Sequence, residues 1–216
     1  REEARLALAG CVPLIDRRKP RAILIDIGGG STEVSWIGTD EGGARLIDFI
    51  SLPCGVVTLG EQIAEDYVGG RLPLSRYEAI AAQVMEKLAE FDARHGIAQA
   101  IARREVQMIG TSGTVTTVAA INLGLRRYNR SQVDGTPITR GAINMVCRSL
   151  LAEDLRGLAA NGCIGPERAD LVLAGCAILE GISKRWPVDP ITVADRGLRE
   201  GVLLDLIRRD RPASNP

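Results

Sequence analysis

The chain predicts an α/β fold in which a mixed sheet carries helices packed on its faces. Three observations lead there. Between Leu24 and Ser51, short apolar runs alternate with glycine-rich turns, the pattern of consecutive strands in an antiparallel meander. After Gly55 the apolar period lengthens, so helices follow. From Val106 onward, short apolar strands alternate with longer helical stretches, which requires a sheet with helices on its faces.

Taken in order, residues 1–10 form a short charged helix. Leu24 to Ile27, Val34 to Ile37 and Arg45 to Ser51 are three strands, joined by turns at Gly28–Gly30 and Asp40–Gly43. Val57, Ile63, Ala64 and Val68 mark the apolar face of a helix. Ser75-Arg-Tyr-Glu78 reads as a capping box, opening a helix with Tyr77, Ile80, Ala81, Val84, Leu88 and Phe91 on one face. His95, before Gly96, closes a helix as a C-terminal cap. Val106 to Ile109 is a strand that runs into Gly110-Thr-Ser-Gly-Thr114 and a helix over 115–123. Residues 128–138 read as a loop. Two helices follow from Thr139 to about Ala160, and another runs from Pro166 to near Arg185. Ile191 to Ala194 is a strand, Leu198 to Arg209 a last helix with Arg208 and Arg209 favourably placed at its end, and residues 210–216 a disordered tail.

Composition narrows the function classes. The 216 residues fit one domain of above-average size and suffice for a real core. Aromatic residues make up only 3%, which argues against base-stacking platforms and single-stranded nucleic-acid binding. Lys+Arg and Asp+Glu balance at 27 each, so no overall field draws in a polyanion, and any steering must come from local arginines. Arg126, Arg127 and Arg130 cluster beside a loop, where surface charge is the plainer reading and a track for a polyanion the alternative, and Arg196 and Arg199 flank a later motif. No apolar run reaches membrane-spanning length and no signal peptide is visible. The five cysteines lack metal-ligand spacing and sit among small or apolar residues, as buried thiols of a cytoplasmic protein do. The first residue is Arg1, already inside a helical run, so the sequence reads as a piece of something longer.

The most informative stretch is Asp26-Ile-Gly-Gly-Gly-Ser-Thr-Glu33. An acid ends one strand, three glycines and two hydroxyls turn the chain, and a second acid opens the next strand. Glycines let backbone N–H groups approach a ligand closely, and a concave array of such donors suits phosphate oxygens. Flanking carboxylates suit a divalent cation. The chain continues as a strand, not a helix, and no Gly-Lys-Ser/Thr ending or G-x-G-x-x-G is present, so P-loop and dinucleotide readings are weak. Ser31 has no histidine near it in sequence, which argues against a Ser-His-Asp nucleophile. Plainer roles stand beside these: Asp26 as a turn cap, Glu33 as a solvent-facing strand residue, and Thr111 to Thr114 as a helix N-cap.

The element order β-β-β-α-β-α-β-α is that of the ribonuclease-H-like fold, the half-unit of actin-like ATPases. Asp26–Glu33, Gly110-Thr-Ser-Gly-Thr114, Ala194-Asp-Arg-Gly-Leu-Arg-Glu-Gly201 and Glu2-Glu-Ala-Arg-Leu6 together resemble motifs of the exopolyphosphatase/guanosine pentaphosphate phosphatase family, in the right order. The resemblance covers residues 1 to about 209 and corresponds to the second of that family's two core domains, with an N-terminal domain expected before Arg1. It implies hydrolysis of terminal phosphate from polyphosphate or guanosine pentaphosphate, with Mg2+. It further implies Glu3 as the base that activates water, Asp26 and Glu33 as metal ligands, and Gly28, Gly29, Gly30, Ser31, Ser112, Gly113 and Thr114 as phosphate contacts. Family members are often homodimers. One departure is a serine at position 112, where some members carry glycine. A binding module without turnover, and an ATP-dependent kinase or chaperone half, are the alternatives, and the early Glu-Glu-Ala-Arg motif speaks against the latter.

Overall fold

A computed structural model of the protein describes residues 2–210, with side chains through Ile207. The sheet forms as β1 (Arg21–Ile27), β2 (Thr32–Asp40), β3 (Gly43–Leu52), β4 (Val106–Thr111), β5 (Pro137–Ile138) and β6 (Ile191–Ala194), in spatial order β3-β2-β1-β4-β6-β5. β1, β2 and β3 are the expected antiparallel meander, while β4 and β6 run parallel to β1 and β5 returns antiparallel along the edge. This is the predicted mixed sheet of the ribonuclease-H-like class.

Its two faces are covered unequally. Ile23, Ile25 and Ile27 of β1 point to the larger core, shared with α2 (Val56–Ile63), α3 (Leu74–Lys87), α6 (Ser112–Asn122), α8 (Arg140–Leu151) and α10 (Val172–Arg185). Ala22 and Leu24 alternate to the other face, against Ala7, Leu8 and Cys11 of α1 (Glu2–Cys11). Period-two alternation on one strand therefore decides which helix meets which side. α11 (Leu198–Asp210) lies against α1 so closely that a Cβ on Gly201 would collide with the Leu6 carbonyl, and Arg5 adds an ion pair to Asp205 at 3.2 Å. α1 is thus fixed over the sheet's second face, with its first turn above the end of β1.

The remaining helices are α4 (Ala89–His95), α5 (Ile97–Ala102), α7 (Arg130–Val133) and α9 (Leu155–Ala160). Several expectations need correction. The capping box fails: α3 starts at Leu74, and Pro73 (φ −60°, ψ 137°) sets its entry while its carbonyl accepts from Arg76 and Tyr77. Proline fixes the entry geometry two residues earlier than Ser75 could. The predicted apolar face is buried as expected but breaks at Leu88 (φ −88°, ψ −8°) into α3 and α4. Of the face expected after Gly55 only Ile63 is buried, with Leu59 and Gly60 of α2. Val57 is exposed within α2, Ala64 is exposed just past its end, and Val68 is 73% exposed beyond it, in a bridge to Arg71. The helix predicted from Pro166 is a 3-10 turn at Pro166–Arg168, with α10 starting at Val172. The loop over 128–138 contains α7 and the two-residue edge strand β5. Pro137 suits such an edge, where no partner needs its missing N–H.

His95 does close α4, and Gly96 follows at φ 60°, yet its ring is turned to β3: Nε2 lies 2.8 Å from Asp48 Oδ2. All five cysteines are buried and unpaired. Among the described residues, no helix is long and apolar enough to cross a membrane. Residues 211–216 of the expected tail and the side chains of Arg208 and Arg209 lie outside the described residues, while Asp210 still belongs to α11.

Candidate active site

β1, β4 and β6 run parallel and end side by side, so the turns that follow them open on one crevice. β1 delivers Asp26 and the triglycine turn, β4 delivers Ser112 and Gly113 at the start of α6, and β6 delivers Asp195 to Gly197. A cavity of about 330 Å³ lies among them, lined by Asp26, Thr111, Ser112, Gly113, Asp195 and Arg199 among others.

In the triglycine turn, Gly28 donates to the Ser31 carbonyl at 2.9 Å. The Gly28 carbonyl accepts from Val56 at 2.9 Å and the Gly29 carbonyl from Val57 at 2.8 Å, so the turn caps the open N–H groups of α2. In a trans peptide the N–H points opposite the C=O. The Gly29 and Gly30 amides therefore face away from α2, in the exposed part of the turn. None of the three glycines has positive φ. Among them only a Cβ on Gly28 would be crowded, 3.1 Å from the Ser31 carbonyl oxygen, and one on Gly30 would meet nothing within 4 Å. The critical glycine is Gly55, whose Cβ would run into the Gly29 carbonyl.

Ser31 Oγ donates to Glu33 Oε1 at 2.6 Å, so its hydroxyl is engaged with the acid. Ser112 has φ 85°, a conformation that costs a non-glycine residue ~1–3 kcal/mol and tends to sit at functional sites. Its Oγ accepts from the Ile27 amide at 3.2 Å, tying the β4–α6 turn to β1. Thr111 is the N-cap of α6 and makes no side-chain cap bond, its hydroxyl donating instead to the Arg196 carbonyl at 2.8 Å. The plainer N-cap reading of this motif thus holds for Thr111 in position, without a capping side-chain bond. The first amides of α6 remain for an anion. Thr114 is 8% exposed and packs its side chain on Gly175 of α10.

The three predicted acids converge. Register places Asp26 directly opposite Glu33, and a narrow hollow is lined by Glu3, Asp26, Glu33 and Ser35. Glu3 is exposed in the first turn of α1, where acids also favour the helix dipole. Asp26 forms neither a side-chain hydrogen bond nor an ion pair among the described residues. Burial first, then the charges of Glu33 and Glu3, push its carboxyl up to about 6. Like charges directly opposite on neighbouring strands oppose folding, so this cluster has no structural justification of its own.

Mg2+ fits this donor set, since it prefers hard oxygen ligands and keeps part of its water shell. Among the described residues no group of three or more His, Cys, Asp or Glu could hold a metal ion by itself. Asp26 and Glu33, opposed across β1 and β2, are the two carboxylates that could contribute to such a site.

Sequence reasoning missed Arg168. It lines both the 330 Å³ cavity and a neighbouring apolar one, and its Nη1 lies 3.7 Å from where a Cβ on Gly113 would stand. It has no ion-pair partner among the described residues. No motif flags it, because it reaches the crevice from a turn far along the chain. Of the arginines read as surface charge or, alternatively, as a track, Arg130 and Arg196 are tied to acids of the fold. Arg130 is bound to Glu200 at 2.7 Å and to the Asp195 carbonyl at 2.5 Å, and Arg196 to Asp134. With Tyr128 donating to Asp195, these contacts hold the β6–α11 turn in shape. Arg126 and Arg127 are exposed.

The chain is 24% identical over 217 residues to exopolyphosphatase 2 of Mycobacterium tuberculosis, covering 95% of itself and 61% of that protein. It is 32% identical over 203 residues to the guanosine-5'-triphosphate,3'-diphosphate pyrophosphatase of Aeromonas hydrophila, covering 89% of itself and 36% of that protein. It therefore spans about three fifths or less of these relatives. In structure it resembles the Aquifex aeolicus member of the Ppx/GppA protein family with a TM-score of 0.79 at 24% identity, over 98% of this chain and 64% of that one. An exopolyphosphatase from Cytophaga hutchinsonii aligns with a TM-score of 0.76 at 22% identity, over 97% of this chain and 64% of that one. These likenesses establish the fold, and the sequence model that matches residues 1–210 places the chain in the Ppx/GppA phosphatase family.

Proposed function

We propose that the protein is a phosphoanhydride hydrolase that releases terminal orthophosphate from inorganic polyphosphate. The observation that carries this is the uncompensated trio Glu3, Asp26 and Glu33 beside two turns whose amides are open to an anion. The Gly29 and Gly30 amides and the start of α6 receive the terminal phosphoryl oxygens, and the Arg168 guanidinium over Gly113 offsets their charge. Glu3 accepts a proton from the attacking water, whose oxygen bonds to phosphorus as the bridging oxygen leaves with the shortened chain. Mg2+ bound by Asp26 and Glu33 would neutralise charge on the transferring phosphoryl. The unpaired thiols suit a reducing compartment, and the reading places the enzyme in the cytoplasm.

Guanosine pentaphosphate is the second reading, favoured by one observation. Beside the phosphate turns lies an apolar cavity of about 300 Å³ lined by Ile27, Val56, Ile164, Leu171 and Val172. Polyphosphate has no apolar surface to fill it, whereas a base does.

The test is phosphate release from long-chain polyphosphate, guanosine pentaphosphate and ATP, measured side by side on the full-length protein and its Glu3→Gln variant. A general base contributes roughly 10²–10⁴-fold. Glu3→Gln should cut kcat by that order and leave the melting temperature unchanged, since Glu3 is exposed. Turnover within a few-fold of wild type would remove Glu3 from its role. Ligand affinity without release would favour a binding module, and acceptor-dependent ATP consumption a kinase.

A further inference from the structure

Glu33 sits in the middle of a row of three residues that the register places directly opposite one another: Asp26 on β1, Glu33 on β2 and Ser51 on β3. Opposed residues in adjacent strands share a face of the sheet. Ser51 Oγ donates to Glu33 Oε1 at 2.7 Å, and Ser31 Oγ donates to the same oxygen at 2.6 Å. Oε1 is thus held twice. Glu33 Oε2 has no donor among the described residues.

We propose that Ser51 is a positioning residue for the cation, selecting the Glu33 rotamer that keeps Oε2 available beside Asp26. The inference rests on the reading that Asp26 and Glu33 hold Mg2+. Ser51 itself stays outside the acid-lined hollow and is exposed on the outer strand of the meander. A glutamate on a strand surface samples many rotamers, and each one lost on binding lowers affinity. Ser31 lies two residues from Glu33 and moves with the same turn. Ser51 belongs to another strand, so its bond ties the carboxylate to the sheet. Partners that orient metal-binding carboxylates act in this way, and losing one costs about 10–100-fold in metal affinity.

Mn2+ titration of the full-length protein, read by electron paramagnetic resonance, tests the idea without relying on turnover. Wild type, Ser51→Ala, Ser51→Thr and Asp26→Asn are compared. Ser51→Ala should weaken Mn2+ binding about 10-fold or more, with the metal-free melting temperature unchanged. Ser51→Thr, which keeps the hydroxyl, should restore most of the affinity. If Asp26→Asn binds Mn2+ as wild type does, the cation lies elsewhere and both readings fall. If Asp26→Asn loses Mn2+ while Ser51→Ala binds normally, the Ser51 inference alone is overturned. Equal weakening by alanine and threonine overturns it too, because the hydroxyl would then not be what matters.

Discussion

Replacing Asp26 by asparagine separates function from stability, because the charge at that position works against the fold. The aspartate is half-buried at the end of β1, opposite Glu33 and near Glu3, and its carboxyl is pushed from the ordinary 3.8 up to about 6. An acid raised in this way holds its proton more tightly in the folded chain than in the unfolded one. Its neutral form favours folding at low pH. That contribution is lost as pH rises through the window from about 4 to about 6. At about 1.4 kcal/mol per pH unit, the penalty above pH 7 is ~3 kcal/mol at most, and solvent relaxation brings it to roughly 2–3 kcal/mol. Asp26→Asn removes the charge at nearly constant shape. In chelator at pH 7.5 it should therefore stabilise the protein, at roughly 2–4 °C per kcal/mol for a domain of this size, while phosphate release is abolished. The gain should shrink toward zero as pH falls to 4.5, where wild-type Asp26 is neutral as well. Thermal melts of both proteins across that range measure it. A destabilisation of Asp26→Asn that is the same at pH 4.5 and 7.5 would refute the account, since Asp26 would then be paired with something favourable.

Two further outcomes follow from the geometry. Arg168→Ala should raise KM for polyphosphate about 10-fold or more, the worth of one charge-assisted contact. It should also flatten the dependence of KM on salt, and steady-state kinetics at two ionic strengths would detect either failure. Gly55→Ala drives a Cβ into the Gly29 carbonyl, so it should cost about 1–3 kcal/mol, as overpacking does, and should also lower phosphate affinity because the triglycine turn must move. Denaturant melts together with orthophosphate binding measure both effects, and an unaffected variant would show that α2 does not brace the turn.

Much of the fold was legible because its signals are local. Alternation along Leu24–Ile27 and Val34–Ile37, the glycine turns between strands, and the apolar face from Tyr77 to Phe91 each follow from neighbouring residues in the chain, and all appear in the structure. Element ends were less legible. Pro73 displaced the Ser75 cap, and β5 went unseen because a two-residue strand has no period and exists only through its pairing with β6. The site divides in the same way. Asp26 and Glu33 could be placed together from sequence because a short turn joins two antiparallel strands, and a hairpin sets its own register.

The sequence by itself thus determined the meander, the pair of acids it brings face to face, and the phosphate-friendly turn between them. It did not determine which groups complete the site. Glu3 reaches the acids only because α1 docks on the face of β1 that carries Leu24 and Asp26, held there by α11 at Gly201. Arg168 arrives from a turn more than fifty residues beyond Gly113, which it covers, and Ser51 meets Glu33 through strand register. Contacts between distant segments depend on how helices and strands pack, and packing is set by the summed burial of many side chains, which no local window of residues contains.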